Sequence, residues 1–223
     1  LVKFIRGDMY LTDLTNTKGH ASEVVSVAWH PRDNNMIITG GVDGTLRSWD
    51  VNSELYLNML RNKQVMKVRA KQGGSQARVT VNSCCYSPDG RLMVAGCADG
   101  SVHIWDDKNV SRPKGVLRVD TGAVTFVRSI PSSAANGRNI LVAKTEKGCV
   151  YFWDLRAVHS PSCVPFMMCQ GCPNDSTGAN VAFNSDYSLM CVPTVSPQGT
   201  SPSLEFYKTG MFKDQGEPLE AFS

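Results

Sequence analysis

The 223-residue sequence predicts an all-β fold made of about four consecutive copies of one four-stranded antiparallel unit. Three observations carry this expectation. Leu46-Arg47-Ser48-Trp49-Asp50, Val102-His103-Ile104-Trp105-Asp106 and Val150-Tyr151-Phe152-Trp153-Asp154 share one alternating ending, with their tryptophans 56 and then 48 residues apart. Leu204-Glu205-Phe206-Tyr207-Lys208 repeats the alternation 54 residues later, with Tyr for Trp and no Asp, and a recurring period of this size marks a repeat architecture. The third observation is the texture between the endings. Short runs rich in Val, Ile, Phe and Tyr, punctuated by Gly, Pro, Asn and Asp, read as strands, and no convincing helical period interrupts them.

The elements follow in order. In the first unit (21–70), Val24 to Trp29 forms a strand, His30-Pro31-Arg32-Asp33-Asn34 a turn and Met36 to Gly40 a second strand. A Val42-Asp43-Gly44 turn then leads into the Trp49 ending. The second unit (79–120) runs Val79 to Tyr86, Ser87-Pro88-Asp89-Gly90, Leu92 to Ala95, and Ala98-Asp99-Gly100 before the Trp105 ending. Asp-Gly and Pro-Asp-Gly suit these hairpins because Gly supplies positive φ and Pro presets φ. The third unit (123–169) has Ala123 to Ile130, a longer turn through Asn136-Gly137, Ile140 to Ala143 and Glu146-Lys147-Gly148. The fourth, degenerate unit (179–223) has Ala179 to Phe183, Asn184-Ser185-Asp186 and Leu189 to Val192. A looser outer strand is expected after each ending, at Gln64–Arg69, Gly115–Val119, Cys163–Met168 and Pro218–Phe222, while residues 1–8 hold the outer strand of a preceding unit at Val2–Arg6.

Composition narrows the function classes. With 42% apolar and 19% charged residues the chain is a globular one, and a net charge of +3 restricts any polyanion binding to a local patch. No run approaches the roughly 18 apolar residues of a membrane helix, so no membrane partner is expected. The start at Leu1, with neither Met nor a signal-peptide layout, is the start expected of a fragment. Eight cysteines in 223 residues, mostly inside apolar runs, point to buried thiols in a reducing compartment rather than a disulfide framework.

Four short strands per unit, Gly19-His20 ahead of the first unit and Trp-Asp at the end of third strands resemble the WD-repeat β-propeller family. The resemblance implies a hydrogen-bonded structural tetrad of His20, Thr39, Asp43 and Trp49. It also implies blade endings at Trp49-Asp50, Trp105-Asp106 and Trp153-Asp154. Other units depart from the pattern: Ala95 and Ala143 replace the hydroxyl, Lys147 the turn Asp and Tyr207 the Trp, so packing should hold those blades. Seven blades, the usual family number, need roughly 370 residues at this spacing, so the chain is expected to be an open arc of a seven-bladed ring. The segment Phe4 to His20, with Arg6-Gly7-Asp8 and Asn16-Thr17-Lys18-Gly19-His20, followed by Ala28-Trp29-His30-Pro31, is similar to the gastrulation-defective class of nuclear WD-repeat proteins.

A search for chemistry returns little. His20, His30, His103 and His159 are scattered, and no phosphate-binding Gly loop, Gly-x-Ser-x-Gly or His-Glu-x-x-His occurs. No catalytic residue, cofactor or small-molecule substrate is expected. Cys169-Gln170-Gly171-Cys172, with Cys163 nearby, supplies one zinc knuckle without its second half, so no metal is expected either. Between Leu55 and Pro88, Arg61, Lys63, Lys67, Arg69, Lys71 and Arg78 occur without an acidic residue. They offer phosphate contacts if they share a face, or else a charged strand edge that blocks edge pairing. Trp153-Asp154-Leu155-Arg156 resembles the element that WD-repeat substrate receptors present to the adaptor of cullin-RING ubiquitin ligases, with Arg156 as the contact.

The expected function is therefore non-catalytic: a scaffold recruiting other proteins of a nuclear complex. The resemblance implies chromatin and DNA-damage-response regulation, or a substrate receptor for a cullin-RING ubiquitin ligase with the ligase adaptor as partner. The alternative is an RNA- or DNA-contacting propeller of the splicing machinery, acting through the basic 55–88 region.

Overall fold

In the computed structural model, which describes residues 19–51, 61–72, 75–135, 137–158, 163–170, 180–195 and 202–208, the alternating runs are strands and no helix occurs among these residues. The first sheet consists of β1 (Val24–Trp29), β2 (Met36–Gly41), β3 (Thr45–Asp50) and β4 (Arg61–Lys67), hydrogen-bonded in chain order. A hairpin of β5 (Arg69–Gln72) and β6 (Ser75–Arg78) follows. The second sheet contains β7 (Val81–Tyr86), β8 (Leu92–Cys97), β9 (Ser101–Asp106) and β10 (Gly115–Arg118). The third contains β11 (Val124–Ile130), β12 (Ile140–Thr145), β13 (Cys149–Asp154) and β14 (Met167–Gln170), and the fourth β15 (Ala182–Phe183), β16 (Leu189–Val195) and β17 (Pro202–Lys208). Neighbouring strands are antiparallel and consecutive, the meander of a propeller blade.

The turns follow from the residues in them. Gly44, Gly100 and Gly148 each close the second hairpin of a blade with φ of 71°, 77° and 86°, where a side chain is disfavoured. The outer strands depart from expectation. β4 lies at 61–67 rather than 64–69, because Asp50 pairs with Arg61 and Thr45 with Lys67; β14 lies at 167–170 rather than 163–168. An edge strand buries little, so its hydrophobic pattern places it poorly. The polar β5–β6 hairpin was not expected, and β15 is confined to Ala182–Phe183, shorter than the run from Ala179. Val2–Arg6 and Pro218–Phe222 lie outside the described residues.

The core is laid down between blades. Ile38, Leu46 and Met66 of the first sheet pack with Met93 and Trp105 of the second. Val94, Ile104 and Leu117 pack with Leu141 and Trp153 of the third, whose Ile140, Val150 and Phe152 pack with Met190, Val192 and Tyr207 of the fourth. Trp49, Trp105 and Trp153 are each 1% exposed; burying an aromatic this size contributes on the order of 3 kcal/mol. One polar device repeats at the inner strands: Cys84 N donates to Ser26 Oγ (2.9 Å) and Val127 N donates to Ser83 Oγ (3.0 Å).

The arc has an open flank. Val27 and Trp29 of β1 are 62% and 57% exposed, whereas Cys84 and Tyr86, at the same register positions on β7, are 6% and 5% exposed beneath the first sheet. Among the described residues no core cluster joins the first sheet to the fourth. The fold is a partial β-propeller.

Candidate functional site

The residues singled out in the first blade meet inside it. His20 precedes β1, Thr39 lies on β2, Asp43 in the β2–β3 turn and Trp49 on β3. Trp49 Nε1 donates to Thr39 Oγ1 (2.7 Å), and His20 Nε2 lies 2.7 Å from the same oxygen. On its other side, His20 Nδ1 stands 3.0 Å from Asp43 Oδ1. One proton arrangement satisfies all three: Nδ1–H donates to the carboxylate, Nε2 accepts from the threonine hydroxyl, and that hydroxyl accepts from the indole. Asp43 also accepts from Thr45 Oγ1 (2.7 Å), Thr45 N (3.1 Å) and Ala21 N (2.9 Å).

Electrostatics match this geometry. Burial holds the His20 imidazole below its ordinary pKa, against the opposing pull of Asp43. Burial alone would raise Asp43, but the hydrogen bonds from Thr45, Ala21 and His20 outweigh it and keep the carboxyl below its usual range. These groups tie the loop before the blade to its second and third strands. The imidazole and hydroxyl are consumed by the network, which makes it a lock and not a nucleophile–base pair awaiting substrate.

The other blades replace this lock with the residue two positions before the ending. His103 stacks on Trp105 with centroids 5.5 Å apart, and Tyr151 stacks on Trp153 at 5.6 Å. Tyr151 OH is 3.0 Å from Thr121 Oγ1, which lies 2.9 Å from Thr145 Oγ1. The third blade thus has its own polar tie besides packing, unforeseen because no motif spacing marks Thr121, Thr145 and Tyr151. Tyr207 OH donates to Glu205 in the fourth blade. The aspartates of the endings cap the next turn: Asp106 Oδ1 accepts from Lys108 N (3.0 Å) and Asp154 Oδ1 from Arg156 N (2.9 Å). Asp50 occupies the same place at the end of β3, paired in register with Met36 and Arg61.

Two surface features stand apart from the locks. Arg156 is exposed beyond β13, with Nε 3.0 Å and Nη2 2.5 Å from Asp154 Oδ2. Burial alone would raise the Asp154 pKa, but the hydrogen bonds and charge of Arg156, together with the charge of Arg138, outweigh it, so the pair stays ionised and fixes the orientation of the fork. The basic residues of β4–β6 form the second feature. Lys63, Lys67 and Arg69 are exposed and alternate with buried Asn62, Met66 and Val68. Arg61 and Lys71 occupy backbone positions of the same parity, and exposed Arg69 and Arg78 are direct cross-strand partners. Like charges directly opposite one another repel.

The remaining candidates sit apart. His30 accepts from Arg32 N (3.1 Å) and Asp33 N (2.9 Å) through Nδ1, a turn role, and its ring meets Tyr86 edge-on at 4.7 Å. Burial pushes Cys84 to about 11 and Cys85, Cys97 and Cys169 to about 12. Cys169 lies on β14; Cys172 and His159 lie outside the described residues. Among the described residues no three His, Cys, Asp or Glu side chains gather as a metal site.

Comparison with known proteins agrees with the architecture. The model of the WD40 family (WD domain, G-beta repeat) matches residues 12–50 and 67–106. WD repeat-containing protein 70 of Xenopus tropicalis is 32% identical over 221 residues, which covers 96% of this chain and 32% of that protein. Its human counterpart is 37% identical over 114 residues, 51% of this chain and 16% of that protein. Gastrulation defective protein 1 homolog of Drosophila melanogaster is 39% identical over 105 residues, 47% of this chain and 15% of that protein. The chain spans about a third or less of the length of these relatives.

Proposed function

We propose that this chain, in which residues 12–50 and 67–106 match the WD40 repeat, is an arc of a seven-bladed propeller that recruits proteins within a nuclear complex and does not catalyse a reaction. The observation that carries the reading is the division between interior and surface. The His20 imidazole and Thr39 hydroxyl are spent in the first blade's lock, while Arg156, oriented by Asp154, stands on a loop, where propellers present recognition groups. The exposed face of β1 supports the arc, since the equivalent faces of the next blades are covered by a neighbour.

Within that reading, Arg156 serves as a contact for a cullin-RING ligase adaptor, with Asp154 orienting its guanidinium. The complex belongs to chromatin and DNA-damage-response regulation. A second reading, contact with RNA or DNA in the splicing machinery, is favoured by the alternating Lys63, Lys67 and Arg69 and the facing Arg69–Arg78 pair. Capture of partners by the full-length protein from nuclear extract, with and without nuclease, separates the two. Partners retained after nuclease support the scaffold, and loss of all partners supports nucleic-acid contact.

A further inference from the structure

The first strand of the third blade carries a cation that no blade lock uses. Arg128 on β11 stands three residues before Pro131, the place that Ala28 holds before Pro31 and Cys85 before Pro88. Ala28 and Cys85 are small and pack into the cores between blades. Arg128 remains exposed and reaches the fourth blade, where Nη2 donates to Tyr187 OH (3.1 Å) and Cζ lies 5.8 Å from the ring centroid. No carboxylate among the described residues pairs with it.

Tyr187 takes the left-handed turn position that Gly90 holds in the second blade, at a conformational cost. Its φ of 60° is the one positive value at a non-glycine residue among those described. Such strain persists only where surroundings enforce it, and it clusters at ligand sites. Tyr187 N donates to Asn184 O (3.1 Å), and its ring packs 5.7 Å from Phe183. The phenol thereby occupies one donor of Arg128 and leaves the rest of the fork available.

Among the described residues, Arg128 is also the single charged side chain lining two adjoining clefts, of about 590 and 430 Å³. Pro31, Pro88 and Pro131 wall the first; Phe126 and Phe183 wall the second. Apolar walls with a few convergent polar groups, here Arg128 with Ser129, Asn184 and Tyr187, are the usual composition of a recognition cleft. An unpaired guanidinium selects an anion, and its planar fork suits a carboxylate.

We propose that this trough binds an extended segment of a partner protein through an Asp or Glu side chain seated on Arg128, with apolar neighbours on the two cleft walls. The proposal rests on the reading of the chain as a partner-binding propeller and names the chemistry of the partner.

Selection of phage-displayed random dodecapeptides on the immobilised full-length protein tests it. Enriched peptides should share an acidic residue beside apolar ones. Synthetic versions should lose about 10- to 100-fold in affinity when that residue becomes Asn or Gln, as loss of a charge-assisted pair requires. Arg128→Ala should cause the same loss and Arg128→Lys a smaller one, because a point charge lacks the fork. The amide peptides test the site on unaltered protein, so a misfolded variant cannot decide the matter. Enriched peptides without acidic preference, equal binding of acid and amide peptides, or no enrichment would each overturn the site. In those cases nuclease-resistant capture of proteins would still stand for the scaffold reading, whereas loss of that capture would remove the scaffold reading itself.

Discussion

Replacing Thr39 with Val keeps the β-branched shape on β2 and deletes one oxygen. That oxygen receives the Trp49 indole N–H at 2.7 Å and faces His20 Nε2 at 2.7 Å. Trp49 is 1% exposed and the His20 side chain 4%, so neither group regains water when the hydroxyl is gone. Each buried polar group left unmade costs about 1–3 kcal/mol, and the two together about 2–6 kcal/mol. At roughly 2–4 °C per kcal/mol, the melting temperature of the purified propeller should fall by about 4–24 °C. The assay is thermal unfolding followed by tryptophan fluorescence, together with hydrogen exchange of the Trp49 indole. Exchange of that indole should accelerate while those of Trp105 and Trp153 stay constant, because Ala95 and Ala143 already stand where Thr39 does. A variant within about 0.5 kcal/mol of the parent, the ordinary range for inconsequential substitutions, would refute the reasoning. A double cycle with His20→Ala should be non-additive, since both substitutions act on one shared oxygen.

Other outcomes follow from the same structure. Burial holds His20 and His103 below the ordinary value of 6.5, so the unfolded chain takes up more protons as pH drops beneath 6.5. Their contribution to stability is complete above pH 6.5 and lost on acidification towards the folded-state values. Melting should therefore occur at lower temperature at pH 5.5 than at 7.5, and His20→Asn should flatten the difference; an unchanged or higher melting point at 5.5 contradicts it. Gly44→Ala places a Cβ 3.0 Å from Arg78 Cβ and 3.1 Å from Val79 O at φ 71°, whereas Gly137→Ala meets nothing within 4 Å at φ 80°. Both should destabilise by about 1–2 kcal/mol for the left-handed backbone, Gly44→Ala by more, and urea titrations giving the reverse order would be incompatible with the packing at Gly44. Arg156→Ala in the full-length protein should reduce capture of the cullin-RING adaptor severalfold without changing the melting temperature. Undiminished capture removes Arg156 from the proposal.

The parts of the fold legible in the sequence are those that bury both faces. β2, β3, β8, β9, β12 and β13 are almost wholly buried, and their dense apolar runs with Asp-Gly or Lys-Gly turns announce themselves. β4, β10 and β14 are outer strands with weak patterns, so their limits slid by several residues in two cases. The β5–β6 hairpin is polar and carries no hydrophobic period at all. At the site, the grouping of His20, Thr39, Asp43 and Trp49 was what the family resemblance implied, not something their spacing alone announced. Thr121, Thr145 and Tyr151 perform a related task with residues that no motif links. Arg128 was invisible for another reason: in the sequence it is one arginine in a strand, and its meaning comes from Tyr187, 59 positions away.

The most direct test of the central claim is crosslinking mass spectrometry on nuclear extract from cells expressing the intact protein, before and after nuclease. The account predicts crosslinks from exposed lysines such as Lys63, Lys67, Lys108 and Lys114 to other proteins, retained after nuclease. Crosslinks to other proteins that vanish with nuclease, or none at all, would contradict it.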